Sequence, residues 1–200
     1  VLNLTRSVFN DAFTPYFHKS IGGYHGAKLR RYQNVIDRYL TPYIQTIYSS
    51  YSDTSGANYN KLLPEMQVLN MLNTKYIIED PNFAPQINMY AYGNAWFVDN
   101  IEFVETADDE IEGLEKFNLQ RTAIVNKKTF VNYEFPDLAL SANDSGSIVL
   151  TTYKPNHLIY ESNSTKEEFA VFSEIYYPDG WHVYIDNKEV DYVNANYILR

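Results

Sequence analysis

The chain has 200 residues, 45% hydrophobic and 20% charged, with no Cys and a formal net charge of −9. A chain this long removes about 70% of its unfolded surface from water on folding, so no disulfide or metal staple is required. The lack of Cys excludes thiol chemistry and Cys-ligated metals, and the acidic balance argues against nucleic acid as a partner, because phosphate neutralisation needs a broad basic surface.

The charge is unevenly distributed. Residues 1–40 hold six cations (Arg6, Lys19, Lys28, Arg30, Arg31, Arg38) against Asp11 and Asp37, a balance of +4 that leaves −13 for the remainder. Such a local patch can meet a phosphate or a lipid head group even on an acidic protein. No apolar run reaches the ~20 residues that span a bilayer. The opening Val1-Leu2-Asn3-Leu4-Thr5 lacks the charged and apolar regions of a secretory signal. A start without Met and a stop at Arg200 within a strand-like pattern read as cut ends of a larger polypeptide.

The first informative block covers residues 16–31, where His18, Lys19, Tyr24, His25, Lys28, Arg30 and Arg31, with Tyr16 and Phe17, flank the Gly22-Gly23 pair. One reading is a structural corner, with the glycines supplying positive φ and the two His bonded to backbone. The other is a ligand face, in which His18, Lys19, Tyr24, His25, Arg30 and Arg31 hold a phosphate or a sugar ring beside a helix start. The block has neither GxGxxG nor GxxxxGK[ST], so it is no nucleotide-phosphate loop. Only Asp11 lies near the two His in sequence, too few acids for a metal site and no clear orienting partner for a His base. No metal, cofactor or catalytic residue is expected in the chain.

Leu29, Tyr32, Ile36 and Tyr39/Leu40 recur at spacings of three and four, which predicts an amphipathic helix over 25–40, ended near Thr41-Pro42. A loop over 49–60 follows. Leu62, Leu63, Met66, Leu69 and Leu72 then predict a second helix through about Asn73, completing a helical hairpin. Strands are expected at 75–79 and at 95–104, the latter as one run or as two joined by a turn at Asp99-Asn100. A short helix over 108–117 carries Asp108, Asp109 and Glu110 in its first turn, where acids complement the helix dipole. A strand at 122–125 closes this lobe.

From residue 147 only strands are expected, at 147–153, 157–162, 169–177, 181–185, 189–192 and 197–199, with turns at Pro178-Asp179-Gly180 and Asp186-Asn187. The fold class is therefore α+β. An N-terminal α/β lobe with a helical hairpin (1–135) precedes an antiparallel β-sandwich, jelly-roll-like, over 136–200, with the boundary in 134–146 and the sandwich short of a strand at its C-terminal end. Trp181 reads as core or as a sugar platform, while His157, His182 and Glu167-Glu168 read as structural. No GxSxG, SxxK or HExxH hydrolase signature occurs.

Several blocks carry a family resemblance: Val1-Leu2-Asn3-Leu4-Thr5, Phe9-Asn10-Asp11-Ala12, the whole of 16–33, Leu69 through Ile78, Gly93-Asn94-Ala95-Trp96-Phe97-Val98, and Ser173 through Trp181. Together they resemble the C-terminal soluble part of the YfhO family of bacterial multi-spanning membrane proteins, in its Bacteroidetes form. The resemblance implies a parent similar to the C-type glycosyltransferases, which take sugars from polyprenyl-phosphate donors on the outer side of the cytoplasmic membrane. It implies an accessory extracytoplasmic (periplasmic) domain here, with the catalytic acid in a membrane-proximal loop outside this chain. The partners it implies are the membrane-spanning part of the same polypeptide and a lipid-linked sugar or glycan. It also implies strand sequence beyond Arg200. A non-catalytic glycan-binding module, or a structural cap on the membrane helices, are the alternatives.

Overall fold

The computed structural model describes residues 1–51, 58–135, 138 and 146–200. Helix and strand content are equal, at 26% each, and the strands form several small sheets with no closed barrel among the described residues, so the protein is of the α+β class. The chain divides into two compact units, Val1–Tyr92 and Gly93–Arg200.

In the first unit, strands β1 (Leu2–Asn3), β2 (Tyr76–Ile78) and β3 (Gln86–Ile87) form one sheet in that order. β1 lies parallel to β2 with Leu2 opposite Ile77, and β3 lies antiparallel with Ile87 opposite Tyr76. After the short helix α1 (Phe13–Phe17), α2 (Arg30–Val35) runs through a π-helical turn (Ile36–Leu40) into α3 (Thr41–Tyr51). The helix expected over 25–40 thus begins at Arg30 and continues past Pro42. Pro42 has no N–H to give and its ring crowds the preceding turn. The wider π turn absorbs this, with the Thr41 N–H reaching back to the Ile36 carbonyl.

The second predicted helix is broken into α4 (Tyr59–Leu62), a 3₁₀ turn at Leu63–Glu65 that contains Pro64, and α5 (Gln67–Met71). It ends at Asn73, whose φ of 49° is left-handed. Of the loop expected over 49–60, residues 52–57 lie outside the described residues, and Ser49 and Ser50 belong to α3. Leu2, Leu40, Ile47, Leu63, Leu69 and Ile77 fill the core of this unit. Buried Asn70 braces it by donating to the Leu63 carbonyl (2.8 Å) and accepting from Asn88 Nδ2 (2.9 Å), so the polar groups beneath the break are satisfied.

In the second unit, β4 (Ala95–Val98) and β5 (Asn100–Val104) are separate strands, divided at Asp99. β5, helix α6 (Ala107–Lys116) and β6 (Thr122–Asn126) form a parallel βαβ unit, with Ile101 opposite Ala123. Thr106 caps α6 by accepting the Asp109 N–H (3.0 Å). Gly113 lets the helix close on the sheet, since a Cβ there would lie 2.8 Å from Ile124 Cδ1.

The remaining strands are antiparallel. β7 (Ser147–Lys154) pairs with β8 (His157–Asn163), β9 (Phe169–Phe172) with β4, and β10 (Val183–Ile185) with β11 (Lys188–Val190) through Asp186 and Asn187, both at positive φ. Each pair is a two-stranded sheet among the described residues. Of the expected boundary in 134–146, residues 136, 137 and 139–145 lie outside the described residues. The β4–β9 pairing joins residues from both sides of 135/136 within one unit.

The strand expected at 197–199 is instead a tight turn. Asn196 and Tyr197 sit at φ 49° and 68°, closed by Ala195 and Leu199 exchanging backbone bonds (2.9 and 2.8 Å). Asn196 fixes this turn to β6, donating its N–H to the Ile124 carbonyl and accepting the Ile124 N–H on Oδ1, each at 2.9 Å.

Candidate functional site

The Gly22-Gly23 block is held by backbone contacts to residues earlier in the chain. Ile21 donates to the Val1 carbonyl (3.3 Å), Gly23 to Val8 (2.8 Å) and Tyr24 to Asp11 (3.2 Å). The Tyr32 hydroxyl donates to the Ile21 carbonyl at 2.5 Å, and desolvation of that hydroxyl raises its pKa above the ordinary tyrosine range.

Both glycines are needed here. A Cβ at Gly22 would fall 2.0 Å from the Val8 carbonyl oxygen. Gly23 has φ +130°, and a Cβ there would lie 3.0 Å from the Pro15 ring. The backbone is therefore a built corner, with positive φ at Gly23 alone of the pair.

Asp11 ties the corner to α1. Its Oδ2 accepts the Thr14 N–H and the Thr14 hydroxyl, both at 3.0 Å, and Arg6 stands 3.8 Å from its other oxygen. The Thr14 backbone bond, ahead of the Thr14 hydroxyl and Arg6, holds the carboxyl below the usual aspartate range. The one acid among residues 6–31 is thereby committed to structure.

Of the six candidate contact residues, His18, Lys19, Tyr24, His25 and Arg30 are exposed and Arg31 is half-buried. His25 Nδ1 accepts the Ala27 N–H (3.1 Å), which leaves Nε2 available to a ligand. Tyr24 is brought beside α1, since its N–H bonds Asp11 and the adjoining Gly23 packs against Pro15. Arg30 and Arg31 open α2, where the helix dipole disfavours cations. Helix stability therefore does not explain these two residues.

Sequence reasoning passed over three rings as contact residues. Phe13, Tyr16 and Phe17 lie on the outer side of α1, with ring centroids 4.8 Å apart for Phe13–Phe17 and 4.7 Å for Tyr16–Phe17. The Arg6 guanidinium lies 4.3 Å from the Phe13 ring centroid. The i, i+3, i+4 spacing was the available signal. It is also the pattern of a core stripe, and only the burial of Thr14 between them separates the two cases.

Several other chemistry-bearing residues are used internally. Trp181 is half-buried beneath Arg200, whose guanidinium lies 3.7 Å from its ring. His182 Nδ1 meets Glu189 Oε1 at 2.6 Å across β10–β11. Glu110, buried in α6, accepts the Tyr197 N–H (3.1 Å), and Glu168 accepts from the Ser164 hydroxyl (3.0 Å). Among the described residues no three His, Asp or Glu side chains converge on one metal position. No described helix is long and apolar enough to cross a membrane.

The chain matches no family model, no curated protein and no solved structure.

Proposed function

We propose that the chain is an extracytoplasmic accessory domain of a YfhO-like membrane glycosyltransferase, acting in cell-envelope glycan modification with lipid-linked sugars. In this reading His18, Lys19, Tyr24, His25, Arg30 and Arg31 contact the phosphate or sugar of the lipid-linked substrate, and the catalytic acid belongs to the membrane-spanning part of the same polypeptide. The antiparallel pairs β4–β9, β7–β8 and β10–β11 are then parts of a jelly-roll-like sandwich.

The observation that carries this reading is the contrast within the 16–31 block. Its backbone is pinned at Ile21, Gly23 and Tyr24, while five of the six candidate side chains remain exposed around it. Fixed backbone beneath exposed cations, imidazoles and a ring suits recognition of an anionic sugar phosphate. The direct test is glycan transfer by the full-length protein carrying His18→Ala and Arg31→Ala, which is expected to fall; unchanged transfer would remove the site. On the 200-residue chain, geranyl phosphate should shift the amide resonances of Tyr24, His25 and Arg30, and no shift at millimolar ligand would count against it.

A second reading, a glycan-binding module, draws on the exposure of Tyr177 and Tyr184 near and on β10. A glycan array probed with the 200-residue chain decides it. Binding abolished by Tyr184→Ala would favour this reading over the first.

A further inference from the structure

Helix α1 is amphipathic in the reverse sense. Thr14 is its buried residue, at 5% exposure, with its hydroxyl bonded to Asp11 Oδ2 and accepting from Asn3 Nδ2 (3.1 Å). Phe13, Tyr16 and Phe17 are 52%, 81% and 59% exposed, and the adjoining Tyr24 is 68% exposed. A short helix stabilised by packing alone buries its rings and exposes its Thr. Here folding has left aromatic surface in water, the condition that marks an interaction face.

Two further observations identify what covers it. Residues 6–31 carry five cations (Arg6, Lys19, Lys28, Arg30, Arg31) against Asp11 alone, on a chain whose net charge is −9. Five cations against one carboxylate, itself beside Arg6 (3.8 Å), leave a net balance of +4 over this segment, so its field is positive and suits an anionic partner. Rings exposed to this degree also project from the surface instead of lining a groove. A rigid protein partner would need matching pockets, whereas a head-group layer deforms around projecting rings. Phe and Tyr beside Lys and Arg are the residues that settle at such an interface.

We propose that residues 6–31 form a docking surface for an anionic phospholipid bilayer, with Phe13, Tyr16, Phe17 and Tyr24 entering the head-group layer and Arg6 and Lys19 meeting lipid phosphates. Unlike the transferase reading, this surface requires no bound sugar and no catalytic partner. It makes the first unit a peripheral membrane contact in its own right, and it fixes which side of that unit faces lipid.

Co-sedimentation of the 200-residue chain with vesicles tests the proposal, using phosphatidylcholine alone or with one quarter phosphatidylglycerol. Binding is expected to the anionic vesicles only and to weaken steadily with added salt. Tyr16→Ser with Phe17→Ser should lower the partition coefficient about tenfold through lost apolar contact. Arg6→Gln with Lys19→Gln should lower it roughly thirtyfold on the anionic vesicles, from about fivefold per cation. Phe83→Ser with Met89→Ser, at exposed apolar positions elsewhere in the same unit, should bind as wild type. Circular dichroism confirms that each variant is folded. No binding to anionic vesicles, equal binding to neutral ones, or equal loss in the Phe83/Met89 control would overturn the proposal; the salt dependence of the unmodified chain remains decisive if a variant misfolds.

Discussion

Residues 6–31 and 193–200 both have their backbone tied to distant residues, and both concentrate polar and aromatic side chains. Their fates are opposite. Every residue from Val193 to Arg200 is buried. There most polar groups are taken up internally: Asn194 Nδ2 by the Leu199 carbonyl (2.8 Å), Asn196 Oδ1 by the Ile124 N–H, and the Tyr197 N–H by Glu110. In residues 6–31 the backbone is similarly pinned, yet Phe13, Tyr16, Phe17 and Tyr24, with Arg6, Lys19 and Arg30, are exposed. Polar density alone does not indicate a site. A fixed backbone with unburied side chains distinguishes a contact surface from a structural knot, because only then does exposure carry no loop-ordering cost when a partner arrives.

The pinning of residues 6–31 depends most on Gly22. Gly22→Ala places a methyl against the Val8 carbonyl and should destabilise the first unit by about 3 kcal/mol in urea unfolding. A change below about 0.5 kcal/mol would mean that the corner is not pinned. Asn196→Ala tests the buried segment by orphaning the Ile124 N–H at a residue already at positive φ. The cost should be about 2 kcal/mol, moderated because Asn196 Nδ2 has no hydrogen-bond partner among the described residues.

Smaller effects follow from Asp11 and from the exposed side chains. The Asp11 carboxyl has a depressed folded pKa, so its stabilisation is present above the ordinary aspartate value of about 4 and is lost as pH falls through the folded pKa. Asp11→Asn should therefore lower the thermal midpoint at neutral pH, with the gap from wild type closing in acid; a gap independent of pH would show that the charge is not involved. His25→Ala and Tyr16→Ser, by contrast, should change the unfolding free energy by less than about 0.5 kcal/mol. A larger loss would show that these side chains pack as core and would dissolve the distinction between the two segments.

Much of this was legible in the sequence, for identifiable reasons. Helix α6 was readable because the acids of its first turn are local signals, whereas 95–104 allowed either one strand or the two, β4 and β5, that form. A corner at Gly22-Gly23 was one of the two readings the glycines allowed, but the contact that requires Gly22 is with Val8, fourteen residues away and invisible to local pattern. The continuation of the helix past Pro42 was not legible, because a π turn relieves a Pro that otherwise ends helices. The turn at Asn196 was not legible either, since its partner Ile124 is 72 residues distant. The inversion of α1 escaped for a simpler reason: the spacing of Phe13, Tyr16 and Phe17 is the same whether the stripe faces core or solvent.

Residues 6–31 are anchored by backbone with Tyr16, Phe17 and Tyr24 exposed, and the proposed docking turns these rings to lipid. Hydroxyl-radical footprinting of the 200-residue chain, with and without anionic vesicles, reports on this arrangement ring by ring. Rapid modification of Tyr16, Phe17 and Tyr24 is expected in the free chain and protection on vesicles, with Tyr197 and Leu199 unreactive in both. Slow modification of Tyr16 and Phe17 in the free chain, or unaltered reactivity on the vesicles, would contradict it.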